Sequence, residues 1–221
     1  PDPEWLVNQI AHALRNPIFA ATVQAEALAL KARSSEELSR SAAMVQGQLK
    51  RLADDIDEML LLGRPAYLNP RVTDLVAVAR SVAESFRRGL GGDAAAVELR
   101  GPAAAPFHSD PDAIRIILER LLRNAVQHTA PPHEVELEIE AAADGTATVS
   151  VRDRGAGMAP ELLEKAFLPF FPQHRGRPGL GLAVAAKLAH ALGGSIEIES
   201  EPGVGTTARL MLPPTAPAAG P

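Results

Sequence analysis

The stretch Thr146-Ala147-Thr148-Val149-Ser150-Val151-Arg152-Asp153-Arg154-Gly155-Ala156-Gly157-Met158 holds two patterns. Thr146 to Val151 alternates with period two, as a strand with one buried face does. An aspartate and two glycines follow. The carboxylate can accept a hydrogen bond from an exocyclic amine, and the glycines permit positive φ and close backbone approach. Upstream, Asp144-Gly145 is a hairpin turn signal, and Val135-Glu136-Leu137-Glu138-Ile139 alternates in the same way. These residues predict a β-hairpin that ends on a D-x-G-x-G loop. Alone, such a loop is also an ordinary strand-ending turn.

Outward from this hairpin, strands and helices mix. Leu75 to Phe86 reads as an amphipathic helix, and Val97-Glu98-Leu99 and Phe107 as short strands. Pro111 to Thr129 is predicted helical, entered through Asp110-Pro111 as N-cap and first helical residue. On the other side, Leu180 to Leu192 reads as a helix closed by Gly193-Gly194. Ile196 to Glu199 and Thr207 to Leu212 read as strands joined by Pro202-Gly203-Val204-Gly205. Residues 72–213 are therefore expected to form an α+β sandwich.

The first 62 residues have a different texture. Residues 4–62 hold one proline, Pro17, and one glycine, Gly47. Leu38, Ala42, Val45, Leu49, Leu52, Ile56 and Met59 recur at steps of 4 and 3, a heptad seam. Val7, Ile10, Leu14, Ile18, Ala21, Ala25, Leu28 and Ala32 follow the same spacing. Ser34 or Ser35 can cap the second helix, with Glu36 and Glu37 in its first turn. Two helices bury too little surface alone, so this hairpin is expected to pair with a second copy into a dimeric four-helix bundle. Gly63, Pro65 and Pro70 place a linker at 63–71, and a Pro/Ala-rich tail at 214–221 is expected to be disordered.

Composition narrows the function. Lys plus Arg is 22 against 27 Asp plus Glu in 221 residues, a net charge of -5. No basic excess serves a nucleic-acid backbone. The 46% hydrophobic content is enough for a core, and only 4% is aromatic. The absence of cysteine excludes disulfides, cysteine zinc sites and thiol nucleophiles. No apolar run approaches the ~20 residues that span a bilayer. The chain starts at Pro1, and the expectation is a soluble, cytoplasmic fragment of a longer protein, with membrane anchoring of that parent left open.

Four features carry candidate chemistry. His12 lies two residues from the seam positions Ile10 and Leu14, about 200° around the helix, and is expected to face solvent. Pro17 frees the Ala13 carbonyl and is expected to kink the helix. Asn124 and His128 share one helix face, so an amide oxygen can reach a metal while the imidazole reaches a phosphate or sugar. Gly179-Leu180-Gly181 precedes a helix whose first amides favour an anion. Taken singly, each is also ordinary punctuation or a surface position.

In order, these segments resemble the sensor histidine kinases of two-component signalling. Ile10 to Ile18 is similar to their H-box and Leu121 to Thr129 to their N-box. Asp153 to Met158 and Gly179 to Leu182 resemble the two glycine boxes. Phe167-Leu168-Pro169-Phe170-Phe171 resembles the F-box, and Gly203 to Thr206 the closing turn. The Leu-Pro-Phe-Phe pattern and Asn16 are most like the nitrogen-regulation subgroup. The resemblance implies a phosphotransfer hairpin over 1–62, homodimeric through residues 4–62. It implies an ATP-binding domain of the kinase, gyrase and chaperone-ATPase type over 72–213.

It implies ATP and Mg²⁺ as ligands, with Asn124 holding the metal and Asp153 bonding the adenine amine. His128, Gly155, Gly157, Met158, Phe170, Gly179, Leu180, Gly181 and Thr206 would complete the pocket. Residues 159–178 would be a lid anchored by Phe167 and Phe170. His12, aided by Asn16, would take the γ-phosphoryl group and pass it to an aspartate of a response-regulator receiver domain, under an upstream sensory domain.

The departures define the alternatives. Ala13 stands where the family has Glu or Asp, the group that orients the histidine and acts as base. Loss of such a base typically costs ~10²–10⁴-fold. Arg120 replaces a usual Asn, Gln127 a frequent Lys, and Pro172-Gln173-His174 and Pro178 the usual lid residues. His174, Arg175 and Arg177 still offer positive charge there. Beside the autokinase reading stand an impaired nucleotide-binding switch and an ATPase of the same fold that does not phosphorylate itself.

Overall fold

The computed structural model describes residues 3–31, 35–89, 95–130, 133–171 and 179–214. The lid positions Pro172, Gln173, His174, Arg175, Arg177 and Pro178, and the tail from 215, lie outside the described residues. So do the side chains of residues 3–13, His12 and Ala13 among them.

Helix α1 (Pro3–Lys31) runs through Pro17, and α2 (Glu36–Gly63) packs beside it. Ser35 caps α2: its Oγ accepts from the Leu38 amide at 3.4 Å, over the acidic pair Glu36 and Glu37. Arg15 pairs with Asp57 across the hairpin. The heptad seam divides in two. Ile18, Ala25, Ala42 and Ile56 are buried between the helices, whereas Leu14, Leu28, Leu38, Val45 and Leu52 are exposed.

A segment without helix or strand, 64–70, leads to the second layer. It comprises β1 (Arg71–Asp74), α3 (Leu75–Gly89), β2 (Ala95–Arg100), β3 (Pro106–Ser109) and α4 (Pro111–His128). Then come β4 (His133–Ala141), β5 (Ala147–Asp153), α5 (Pro160–Leu163), α6 (Gly181–Ala191), β6 (Ser195–Glu201) and β7 (Gly205–Leu212). The main sheet has the order β2-β4-β5-β7-β6, with β2 and β4 parallel and the other neighbours antiparallel. β1 and β3 form a separate antiparallel pair. This is the expected α+β architecture. The sequence reading did not contain β1 or α5: neither short element buries a residue fully, so neither displays an apolar period.

Alternation sorts the sheet into two faces. Val135, Leu137 and Ile139 of β4 and Val149 and Val151 of β5 point to the core, and Glu134, Glu138 and Glu140 to solvent. Ile114, Ile117, Leu118 and Leu122 of α4 cover the apolar face at essentially zero exposure, with Val184 and Leu188 of α6 beside them. Asp110 starts α4: its carboxylate accepts from the amides of Asp112 at 2.8 Å, Ala113 at 3.1 Å and Asn69 at 2.7 Å. The last bond fastens the 64–70 segment to the domain.

The hairpin's end is docked on this layer. Leu61, Leu62 and Ala66 pack against the main core. Lys187 of α6 donates from Nζ to the carbonyls of Leu61 at 3.0 Å, Leu62 at 2.6 Å and Arg64. α2 has no basic residue in its last turn, so Lys187 supplies the charge its carbonyl end favours.

Candidate functional site

A narrow cleft opens between α4, the ends of β5 and β7, β6 and α6. Leu121 and Ala125 enter it from α4, Val151 from β5, Leu182 from α6, and Ile198 and Ala208 from the last two strands. Asn124 and His128 of α4 line it with Asp153, Gly157, Met158 and Thr206. The apolar walls suit a planar ring, and the polar groups are few.

Asp153 is 6% exposed, one of the few buried charged groups. Burial raises its pKa above the ordinary aspartate value, and the amides of Gly155 and Thr206 offset part of that rise. The Gly155 amide donates to Asp153 Oδ1 at 2.8 Å. An acceptor held at the bottom of an apolar cleft, with its charge only partly compensated, is poised for a further donor.

The loop after Asp153 is fixed by backbone bonds. The Ala156 amide donates to the His128 carbonyl at 3.1 Å, which ties the loop to the end of α4. The Gly203 amide donates to the Ala156 carbonyl at 2.8 Å, tying it to the β6–β7 turn. Gly157 has φ +63°, and a Cβ there would overlap the Glu201 carbonyl. The Met158 amide donates to Ser200 Oγ at 2.8 Å, and Ser200 Oγ lies 2.8 Å from Thr206 Oγ1. Sequence reasoning missed Ser200, although it shares the inward face of β6 with Ile196 and Ile198. It also missed the apolar walls, whose pattern is that of ordinary core.

The second glycine pair stands at the start of α6. Gly179 has φ +68°, and a Cβ there would overlap the Phe171 carbonyl. Leu180 is buried, and its carbonyl accepts the first α6 bond from the Val184 amide at 2.9 Å. A Cβ on Gly181 would meet only Arg120 Cδ, at 3.7 Å. The first residue of α6 therefore lies beside the Arg120 stem.

The structure thus gathers Asn124, His128, Asp153, Gly157, Met158 and Thr206 in one cleft, with Gly155 bonded to its aspartate. Gly179, Leu180 and Gly181 form the turn into α6. Phe170 stands apart: it is 60% exposed, carries φ 62° and does not line the cleft. Phe167 does pack against the core. Asn16 is exposed on α1, and His12 lies within the same helix. The hydroxyl, amide and carboxylate set fits a nucleotide base and sugar, and the Asn124 amide oxygen is a donor of the kind Mg²⁺ accepts.

Residues 109–216 match the family described as histidine kinase-, DNA gyrase B-, and HSP90-like ATPase. The chain is 30% identical over 205 residues to the sensor histidine kinase ZraS of Klebsiella oxytoca, covering 92% of this chain and 44% of that protein. It is 33% identical over 219 residues to the sensor-like histidine kinase SenX3 of Mycobacterium tuberculosis (strain H37Rv), covering 94% of this chain and 53% of that protein. The chain thus spans about half the length of these curated relatives.

Two solved structures share the fold. Full-length ShkA in complex with AMPPNP superposes with a TM-score of 0.80 at 24% identity, over 99% of this chain and 47% of that one. The Acinetobacter baumannii histidine kinase AdeS gives 0.65 at 23%, over 93% and 98%. These matches do not single out the nitrogen-regulation subgroup. The domain match and the relatives agree in one conclusion: this chain carries an ATPase domain of the histidine kinase, gyrase B and HSP90 type and is a homologue of sensor histidine kinases.

Proposed function

We propose that the chain is an ATP-dependent protein-histidine autokinase. The observation that carries this reading is the convergence of Asn124, His128, Asp153, Gly157 and Thr206 on one apolar cleft. The adenine amine would donate to Asp153, with Met158, Ile198 and Ala125 against the ring. The phosphates would extend toward Asn124 and the amide end of α6. Asn124, with His128 near by, would hold Mg²⁺, which neutralises phosphate charge when bound.

A ring nitrogen of neutral His12 would then form a bond to the γ-phosphorus as the bond to the bridging oxygen breaks and ADP leaves. Unperturbed imidazole has a pKa of ~6.5, so a nucleophilic form is present at neutral pH. Positioning and charge neutralisation dominate such transfers. The phosphoryl group would pass from the phosphoramidate to a receiver-domain aspartate, with Asn16 near His12. The alternating exposed seam positions Leu14, Leu28, Leu38, Val45 and Leu52 support a homodimer through residues 4–62. No helix among the described residues is long and apolar enough to cross a membrane, and we place the fragment's work in the cytoplasm.

Ala13 favours a second reading, a nucleotide-binding switch that transfers phosphate slowly or not at all. Incubation with Mg²⁺ and γ-labelled ATP separates the two. Acid-labile, base-stable label that vanishes in His12→Gln establishes the autokinase. Label only in Ala13→Glu means that one position silences intact machinery. No label in any variant, with ATP bound by calorimetry, leaves the switch.

A further inference from the structure

Arg120, mostly buried on α4 beside the start of α6, is occupied by the hairpin. Its side chain is 11% exposed, and its Nε lies 3.1 Å from Oε1 of Glu58, itself 7% exposed on α2. Yet the Arg120 Nε–H is not aligned on that oxygen: among the described residues it is the one buried side-chain polar atom without a hydrogen-bond partner. A buried ion pair offsets its desolvation only when geometry and hydrogen bonds are good. This pair is held in place by its neighbours. Arg123 faces Asp54 at 3.6 Å one turn of α2 earlier, and Lys187 binds the carbonyls beyond.

Arg120 does not line the cleft itself but stands next to residues that do, Leu121 and Asn124. It precedes Asn124 by one turn of α4, and its Cδ lies 3.7 Å from the position a Gly181 Cβ would take. A guanidinium binds phosphate through two parallel N–H bonds, a geometry better than the one Glu58 offers here.

We propose that Arg120 is the phosphate-discriminating residue of the cleft and that Glu58 is its resident counter-ion, displaced by the polyphosphate of a bound nucleotide. The inference rests on the reading of the cleft as an ATP site. A nucleoside without phosphates fills the apolar part and leaves the pair intact. A triphosphate draws Arg120 toward the α6 start, and α2 keeps only the longer Arg123–Asp54 pair to α4. Nucleotide binding and hairpin release are then coupled, and by reciprocity weakening the pair tightens the triphosphate.

Calorimetry with ATP and with adenosine, on wild type, Glu58→Gln and Arg120→Asn, tests this. Glu58→Gln keeps shape and hydrogen-bonding capacity and removes the competing charge. It is expected to bind ATP at least about fivefold more tightly and adenosine unchanged. Arg120→Asn is expected to shrink the preference for ATP over adenosine. Equal or weaker ATP binding by Glu58→Gln overturns the proposal.

Hydrogen exchange of wild type needs no variant: ATP is expected to speed exchange in residues 54–64, and adenosine to leave it unchanged. No ATP-specific change there overturns the proposal as well. If both ligands bind and the pattern fails, only the role of Arg120 and Glu58 falls. If neither ligand binds, the reading of the cleft itself falls and takes the inference with it.

Discussion

Along α2, Ala42 and Ile56 are buried while Leu38, Val45 and Leu52 stand 57%, 49% and 48% exposed. Along α4, Ile114, Ile117, Leu118, Leu121 and Leu122 all fall at 2% or below. Both helices are amphipathic, but only one is finished by its own chain. The five-stranded sheet and its helices close a core, so the nucleotide domain is complete as a fold. The hairpin keeps half its seam for something else, and the exposed half recurs every seven residues, as the seam of a larger bundle does. One region closes its own core, and the other leaves an apolar stripe uncovered.

The largest effect expected from breaking this contrast lies at Leu52. Leu52→Glu places a charge on the exposed half of the seam. In the proposed dimer two copies lose it at once: the 48% of each leucine still exposed forfeits roughly 1.5–3 kcal/mol of apolar burial in all, and desolvating two carboxylates adds a few kcal/mol more. That corresponds to ~10²–10⁴-fold in the dimer dissociation constant. Sedimentation equilibrium measures it, and the thermal transition of the sheet domain should not move. An unshifted dimer constant would mean that the exposed positions serve another partner.

The converse change is Leu122→Ala. Leu122 is fully buried in the main core, and its truncation is expected to cost about 2–5 kcal/mol, the range for a leucine cavity that cannot collapse. Urea unfolding should show the loss in the sheet domain, with dimerisation retained. If both variants damage both properties, the two regions fold as one cooperative unit. The Arg120–Glu58 pair and the Lys187 clasp would then be stronger than their geometry suggests.

How legible these regions were follows from the same contrast. The heptad steps predicted α1 and α2, but a seam of residues looks alike whether it faces a helix of its own chain or of another. Period-two runs placed β4, β5 and β7 because each has one buried face. β1 escaped because two of its residues are exposed and none is fully buried. At the site, Asp153 and Gly157 were legible because a buried acceptor and a positive φ need those residue types. Ser200 and Ile198 were not, since their role comes from β6 lying beside β7. Arg120 was legible as a departure, and its partner Glu58 was invisible until the fold brought α2 to α4.

Within the finished region, the cleft itself can be separated from the core. Asp153→Asn keeps an acceptor oxygen and sheds the charge. A carboxylate bonded to a donor contributes about 1.5–3 kcal/mol, so ATP affinity is expected to fall at least tenfold by calorimetry. The stability effect has the opposite sign. Burial raises the Asp153 pKa, so the folded state loses stability as pH rises through the interval between the ordinary and the raised value. The neutral amide of the variant removes that cost, and the neutral-pH melting temperature should hold or rise. In wild type, ATP binding should weaken as pH falls through the raised value. A variant that loses stability at neutral pH would show that the charge is needed by the fold rather than by the ligand.

The smallest effect concerns the join between the regions. Asp110 caps α4 and also binds the Asn69 amide, so one carboxylate serves the nucleotide helix and the segment leading from the hairpin. Burial works to raise its pKa, and the amides of Asn69, Ala113 and Asp112 overcome that and leave it lowered. A lowered folded value contributes stability above the ordinary carboxylate range and loses it as pH falls through that range. Asp110→Ala should therefore cost about 0.5–2 kcal/mol at neutral pH, the range for a lost N-cap. The gap from wild type should narrow in acid, when the wild-type carboxylate takes up its proton. Urea midpoints at neutral and acidic pH read both quantities. A gap that stays constant with pH would assign the cap's contribution to shape and hydrogen bonding alone. A gap that narrows locates charge at the join, where the segment leading from the hairpin is fastened to α4.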